Sequence, residues 1–348
     1  MIDAAFDFDR PPGLEATAPP EARGLRRNDV RLLVTDDHGS SHHPFTALPD
    51  LLSPGDLLVV NGSATLPASL PVRHPGGELL LNVSTQYADR IWLAEPRFGV
   101  GAPGPVPLDP RTSLTAGPAS FRPIEPYPGI DRLWFFRSDG SVSAAMASVG
   151  RPIRYGYVDA AYPLTMYQTI FARVPGSAEM PSAGRPFTHR ELGALRRRGI
   201  RTAEILLHTG VSSLESEVGR TDLPPVYPEP FDVPAKTAEL LNATRGSGHR
   251  VVAVGTTVLR ALETAWDGCR VAPSRGFTRL VLGPGRAIHS VDGLVTGFHD
   301  PRTSHLALLF GFAGRSRVRA AYAEAVRARY LWHEFGDSHL LWRPGAAQ

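Results

Sequence analysis

Val251-Val252-Ala253-Val254-Gly255-Thr256-Thr257-Val258-Leu259-Arg260-Ala261-Leu262-Glu263 sets a short apolar run, a glycine and two hydroxyls in immediate succession. Four β-branched or small apolar residues in a row suit a strand covered on both faces. Gly255 permits a sharp turn, and Thr256 or Thr257 is expected to cap a helix by accepting its orphan N–H bonds. Arg260 falls on the same helical face as Thr256, with Glu263 three residues later and an apolar stripe of Leu259, Leu262 and Trp266 beside them. Two readings of the unit stay open: an ordinary βα junction with a solvated Arg–Glu pair, or a helix start that receives a ligand carboxylate.

The rest of the composition narrows the class. At 348 residues, 42% hydrophobic and 20% charged, the chain has the balance of a globular protein with room for one large core or two domains. No apolar run reaches bilayer length, and acids stand near the N-terminus where a secretory leader carries bases, so a cytoplasmic protein without a membrane partner is expected. A single cysteine, Cys269, excludes an internal disulfide and a cysteine-built metal site. No clustered His/Asp/Glu set has ligand spacing, so no metal is expected. The net charge is only +3, and all but one of the 37 basic residues are arginine. The basic knot Arg196-Arg197-Arg198 with Arg201 is either a solvated helix end or a phosphate contact.

Strand and helix patterns alternate on both sides of a change of character. Asp56-Leu57-Leu58-Val59-Val60-Asn61 reads as a buried strand ending at a polar turn. From about residue 71 to 150, short alternating runs such as Glu78-Leu79-Leu80-Leu81-Asn82-Val83 and Arg132-Leu133-Trp134-Phe135-Phe136 are separated by Gly/Pro-rich turns, with no helical period. Helices return later: Thr188 with Glu191 forms a capping box ahead of a helix closed by Gly199, and helices are expected over 236–245, 304–312 and 317–332. Strands are expected over 203–208 and 278–282. The pattern predicts an α/β fold: an α/β main domain over 1–70 and 151–348, interrupted over 71–150 by an inserted small antiparallel β module.

Several polar constellations sit at element ends. His208-Thr209-Gly210 closes a strand, Phe298-His299-Asp300-Pro301 precedes a helix, and Phe335-Gly336-Asp337-Ser338 is a glycine turn with one carboxylate. The run 176–184, rich in small residues and including Ser182 and Gly184, is either a ligand-approaching loop or a plain surface loop. In this order, together with Phe6-Asp7-Phe8-Asp9-Arg10-Pro11-Pro12, Tyr167-Gln168-Thr169-Ile170-Phe171-Ala172, the Gly255 unit, residues 291–299 and residues 330–341, they resemble the S-adenosylmethionine:tRNA ribosyltransferase-isomerase family of queuosine biosynthesis. The resemblance covers nearly the whole chain, and it implies a discontinuous α/β main domain over 1–70 and 151–348 carrying an inserted small antiparallel β-barrel domain over 71–150.

It also implies a reaction. The family moves the ribosyl part of S-adenosylmethionine onto the aminomethyl group of a 7-deazaguanine in tRNA, with adenine and methionine leaving. Such chemistry needs a base for a C5′ proton acidified by the adjacent sulfonium, charge stabilisation, and exclusion of water. The residues expected to serve it are His208, His299, Asp337 and Glu229 as acids and bases. Asn61, Tyr167, Ser182, Gly184, Gly210, Gly255, Thr256, Thr257, Arg260 and Phe298 are expected to bind substrate. For either histidine, tying down a loop is the alternative role. S-adenosylmethionine enters as co-substrate with no further cofactor, and a monomer or weak oligomer is expected. The chain departs from the family pattern at Gly62, Ala64 and Ser69, where an acid and two arginines are usual, and at Arg185-Pro186-Phe187, where a histidine is missing. It also departs after His208, at 226–229 and at Asp300. These departures leave open a paralogue acting on a small deazapurine-type acceptor, or a non-catalytic relative that binds S-adenosylmethionine or RNA.

Overall fold

Pleat alternation in the central strands explains how the chain builds three layers. The computed structural model describes residues 8–211 and 227–346. Residues 6, 7, 212–217 and 226, which carry parts of the motifs quoted above, lie outside the described residues. In chain order the strands are β1 (Arg31–Asp36), β2 (Gly39–Pro44), β3 (Leu57–Asn61), β4 (Ser63–Thr65), β5 (Ser69–His74), β6 (Gly77–Ala88), β7 (Ile91–Arg97), β8 (Leu114–Ala116), β9 (Ala119–Tyr127) and β10 (Ile130–Gly140). They continue as β11 (Val174–Ser177), β12 (Arg201–Leu207), β13 (Glu229–Val233), β14 (Val251–Val254), β15 (Ser274–Thr278), β16 (Gly293–Thr296) and β17 (Ser338–Trp342). The helices are α1 (Val142–Val149), α2 (His189–Arg197), α3 (Ala235–Gly246), α4 (Thr256–Thr264), α5 (Ser304–Ala313) and α6 (Arg315–Arg327).

Nine strands form one mixed sheet in the order β15-β13-β12-β3-β14-β16-β17-β1-β2. Strands β12, β3, β14 and β16 run parallel at its centre. Leu57, Val59, Val251 and Ala253 point to the core under α3, α4, α5 and α6, while Leu58, Val60, Val252 and Val254 point to the opposite core with Phe45, Phe171 and Phe187. Both faces are covered, as a continuous apolar run in a parallel strand requires. Strands β5 to β10 close into an antiparallel barrel, order β10-β7-β6-β5-β8-β9, with its own apolar core. The fold is therefore α/β with a closed six-stranded barrel.

Some local expectations change. Gly255 itself is the N-cap of α4, at φ +99°, and neither threonine side chain caps the helix; Thr256 and Thr257 are its first two residues. Helix α1 lies in the stretch expected to be wholly β, started by Ser141, whose hydroxyl accepts from the Ala144 amide. The last edge strand runs 274–278 rather than 278–282, and α6 stops at Arg327, so Trp332 lies beyond it. The Thr188–Glu191 capping box forms as expected.

The C-terminal strand carries a buried histidine. His339 is fully enclosed, bonds Thr35 Oγ1 through Nε2 at 2.9 Å, and lies parallel to Phe298 with ring centroids 5.5 Å apart. Burial pulls its pKa down to about 3. A group depressed below its unfolded value contributes stability that is present above about pH 6.5 and is lost as pH falls toward 3. Urea unfolding at pH 7 and pH 5 should show a fall in stability, of which His339→Gln removes about 2 kcal/mol. An unchanged pH dependence in that variant would show that His339 does not titrate with folding.

Candidate active site

Three of the four central parallel strands, β12, β14 and β16, deliver their C-terminal ends to one cavity of about 310 Å³. Thr209 and Gly210 follow β12, Gly255 to Thr257 follow β14, and the stretch from Thr296 to Asp300 closes β16; all line it. Ligands of open α/β sheets bind at this end, where loops converge and helix N-termini point.

The Gly255 unit forms one wall. Helix α4 aims its first turn at the cavity, and Arg260, one turn on, also lines it. Arg260 does not pair with Glu263. Its Nη1 pairs with Glu229 Oε2 and its Nε donates to the Leu280 carbonyl at 3.0 Å. Glu229 Oε1 accepts from the Gly210 amide at 2.9 Å, so the carboxylate holds both Arg260 and the turn after β12. Glu263 is instead buried, accepting from the amides of His289 and Ser290 at 2.8 and 2.7 Å.

Of the other residues singled out in the sequence, Tyr167, Ser182, Gly210, Phe298 and His299 lie on the wall. A Cβ at Gly210 would come within 2.3 Å of Tyr227 Oη and 2.5 Å of Ser84 Oγ, so only glycine fits there. His299 is held from both sides: its amide donates to Tyr322 Oη at 3.2 Å, and its carbonyl accepts from Trp332 Nε1 at 3.1 Å. Its Nε2 sits 2.9 Å from Thr296 Oγ1, and its ring stacks on His305 at 4.8 Å. Burial, with three neighbouring histidines, pulls its pKa well below the ordinary range and keeps the imidazole neutral.

Four expected residues do not line the cavity. His208 Nδ1 is tied to Ser63 Oγ at 2.7 Å, and its ring closely covers Gly176, which fits the loop-tying alternative. Asn61 donates to the Leu207 carbonyl at 2.8 Å and accepts from the amides of Leu207 and Ser63 at 3.1 and 3.0 Å. Gly184 packs on Phe171 and Thr169, where a Cβ would stand 3.2 and 3.3 Å from their side chains. Asp337 accepts from the amides of Arg31 and Leu331, each at 2.8 Å, and pairs with the Arg31 guanidinium. Asn61 and Asp337 are thus spent on backbone amides and carbonyls, His208 on a side-chain latch, and Gly184 on close packing.

The cavity also carries groups that the sequence reading missed. Tyr155, Tyr157 and His333 stack in series, with centroids 6.0 and 4.1 Å apart. Tyr155 donates to Glu179 and Tyr157 donates to Glu334, and both carboxylates line the cavity. Burial pushes the Glu334 carboxyl above its usual range. His333 stands 3.7 Å from Asp300 and takes a left-handed φ of +73°, a conformation that a non-glycine residue adopts only under tertiary constraint. The pair Tyr155-Gly156-Tyr157 was visible in sequence, but nothing local connected it with residues 333 and 334.

With this geometry in hand, comparison with known proteins is decisive. The sequence model described as queuosine biosynthesis protein matches residues 3–341. The chain belongs to that family. It is 38% identical over 346 residues to the S-adenosylmethionine:tRNA ribosyltransferase-isomerase of Anaeromyxobacter dehalogenans, covering 97% of this chain and 98% of that one. To the protein of the same name from Thermus thermophilus it is 34% identical over 351 residues, at the same coverage. Among solved structures, the S-adenosylmethionine tRNA ribosyltransferase of Thermotoga maritima is similar, with 29% identity, a TM-score of 0.55, and coverage of 97% of this chain and 99% of that one. The likeness thus extends over barrel and sheet together.

Asn61 offers a direct check on its structural placement. Asn61→Ala leaves a buried N–H and C=O of Leu207 without partners and should lower unfolding stability by about 1–3 kcal/mol. A loss below 0.5 kcal/mol in urea unfolding (about the noise of a surface substitution) would remove the amide from that role.

Proposed function

We propose that this chain transfers and isomerises the ribosyl moiety of S-adenosylmethionine onto the 7-aminomethyl-7-deazaguanine of tRNA, giving epoxyqueuosine with release of adenine and methionine. One observation in the cavity supports the reading beyond family membership: it offers the chemistry of a zwitterionic sulfonium at two separate places. Among the described residues its charged lining is four acids, Glu179, Glu229, Asp300 and Glu334, against one guanidinium, Arg260. Acids interleaved with Tyr155, Tyr157 and Tyr167 suit a sulfonium and the primary ammonium of an acceptor. The N-terminus of α4, with the Thr256 and Thr257 amides, suits the methionine carboxylate.

Within that frame His299 is the base for the C5′ proton. It is neutral at pH 7, backbone-clamped and on the wall, whereas His208 is tied away from it. Glu334, whose carboxyl burial holds toward the protonated form, and the Tyr157 phenol that bonds it are placed to protonate departing adenine. Apolar residues on the wall, Ala183 and Leu282 among them, disfavour water around the reactive ribosyl species.

Incubation with S-adenosylmethionine and tRNA carrying 7-aminomethyl-7-deazaguanine should release adenine and methionine in equal amounts while the modified nucleoside gains the epoxycyclopentanediol. Release only with the free deazapurine amine would move the acceptor to a small metabolite, and no release with either would sink the catalytic reading. The two histidines should part company in the same assay. His299→Ala should lower kcat by about 10²–10⁴-fold. His208→Ala should keep kcat within about tenfold while lowering the melting temperature, since it loses a hydrogen bond and packing but no reacting group. The reverse pattern would return the base to His208.

A further inference from the structure

The edge strand β15 presents an arginine–phenylalanine–arginine face beside the cavity. Period-two alternation puts Arg275 and Phe277 on one side of the strand, and Arg279 is the next exposed position beyond it. Phe277 is 50% exposed although it is a large apolar ring, and Thr278 between it and Arg279 is buried. The Arg275 side chain is 85% exposed and stands 3.8 Å from Asp232, a loose contact in water. Arg279 has no ion pair among the described residues.

Phe277 is not a stray surface residue. Its ring lies 5.7 Å from that of Tyr87 on barrel strand β6, and the Tyr87 hydroxyl is anchored to the Pro228 carbonyl at 2.8 Å. Tyr87 in turn contacts Phe135 at 6.1 Å, so one face of Phe277 is braced by the barrel while the rest of the ring stays in water. The arginines alone would be accounted for as protection of a sheet edge against pairing. Such protection does not account for a half-exposed aromatic ring between them. The face also continues directly into the cavity: Leu280, the residue after Arg279, lines it, and its carbonyl accepts from Arg260.

The cavity's size then selects the partner. About 310 Å³ is far too little for a duplex, so a polynucleotide acceptor must present its target base out of the stack. Nucleotides flanking an extruded base lose a stacking neighbour, and an aromatic ring framed by guanidiniums replaces that neighbour while meeting the phosphates. We propose that Arg275, Phe277 and Arg279 form a platform for single-stranded RNA, Phe277 stacking on a nucleotide adjacent to the one that enters the cavity. The proposal rests on the tRNA reading above and adds the surface by which the polynucleotide is held.

Anisotropy of a fluorescein-labelled tRNA transcript and of a labelled RNA duplex tests it with the full-length protein. Phe277→Ala should raise Kd for the tRNA about tenfold, Phe277→Trp should restore it, and duplex binding should not change. Arg279→Gln should reduce the slope of log Kd against log salt by about 0.7. KM for S-adenosylmethionine should stay as in wild type in both variants, and a matching melting temperature excludes a folding defect. A Kd for Phe277→Ala within twofold of wild type, or an equal loss for duplex and tRNA, overturns the platform. So does a wild-type protein that binds no tRNA. Adenine release from modified tRNA that both variants perform with wild-type KM overturns the platform and leaves the reaction standing. Failure of wild type to release adenine with tRNA overturns the reaction, while the binding series still decides the platform.

Discussion

The side-chain amide of Asn61 is the joint on which the cavity depends. It sits at the end of the central strand and imitates a peptide unit, donating to and accepting from Leu207 on the neighbouring parallel strand. Because the amide completes the ladder, the main chain can leave the sheet at Gly62, and the Ser63 amide returns to the same oxygen. Ser63 then reaches Ser177 at 2.6 Å and His208 at 2.7 Å, Ser177 accepts from the Thr209 amide at 3.0 Å, and the Ala178 amide bonds the Thr209 carbonyl at 2.7 Å. That relay latches the loop leading to Ser182 against the end of β12. Removing a buried acceptor or donor at its root costs the full desolvation of the orphaned groups, so nothing downstream could hold its place.

The opposite wall draws its rigidity from aromatic packing. Phe298 lies among His339, Trp332, Tyr330 and Tyr322, with centroids 5.0 to 5.7 Å away. The next residue, His299, has its amide and carbonyl bonded to Tyr322 and Trp332 of that same cluster. An imidazole presented to a cavity is thus built on a core, not on a free loop. The trade is titration: enclosure that fixes these histidines also disfavours their charged forms, so the wall offers neutral imidazole bases and makes the fold acid-sensitive.

What could be read from the chain alone follows the range of the interactions involved. The unit from Val251 to Glu263 is contiguous, and its strand, turn and helix with Arg260 on the exposed face are set by local periodicity and by one glycine at positive φ. Gly255, Thr256, Thr257 and Arg260 of that unit line the cavity, and its strand–turn–helix order was legible. The partner of Arg260 was not, because Glu229 lies 31 positions away and reaches it only once β13 has joined the sheet. His208 and Asp337 stand at strand and turn ends as candidate functional groups, yet the Ser63 hydroxyl holds the one and backbone amides with Arg31 hold the other, and no local signal distinguishes a ligand contact from a latch. Tyr157, His333 and Glu334 meet across more than 170 residues, so their stack has no sequence signature at all.

The departures from the family pattern acquire physical meaning in the same way. At Gly62, where an acid is usual, a Cβ would stand 3.3 Å from Glu204 Oε2, so a carboxylate there would face a like charge already paired with Arg173. At the altered loop, Arg185 is 2% exposed, pairs with Glu21 at 2.7 Å, donates to the Met166 carbonyl and lies over Phe335. It has become a buried strut beneath the segment that bears Ser182. The histidine missing beside it does not strip the cavity of imidazole, for His299, His305 and His333 all line it. Two of the three stack on each other and the third on a tyrosine, so the imidazoles are held in fixed planes on a packed wall instead of being carried in by a mobile loop.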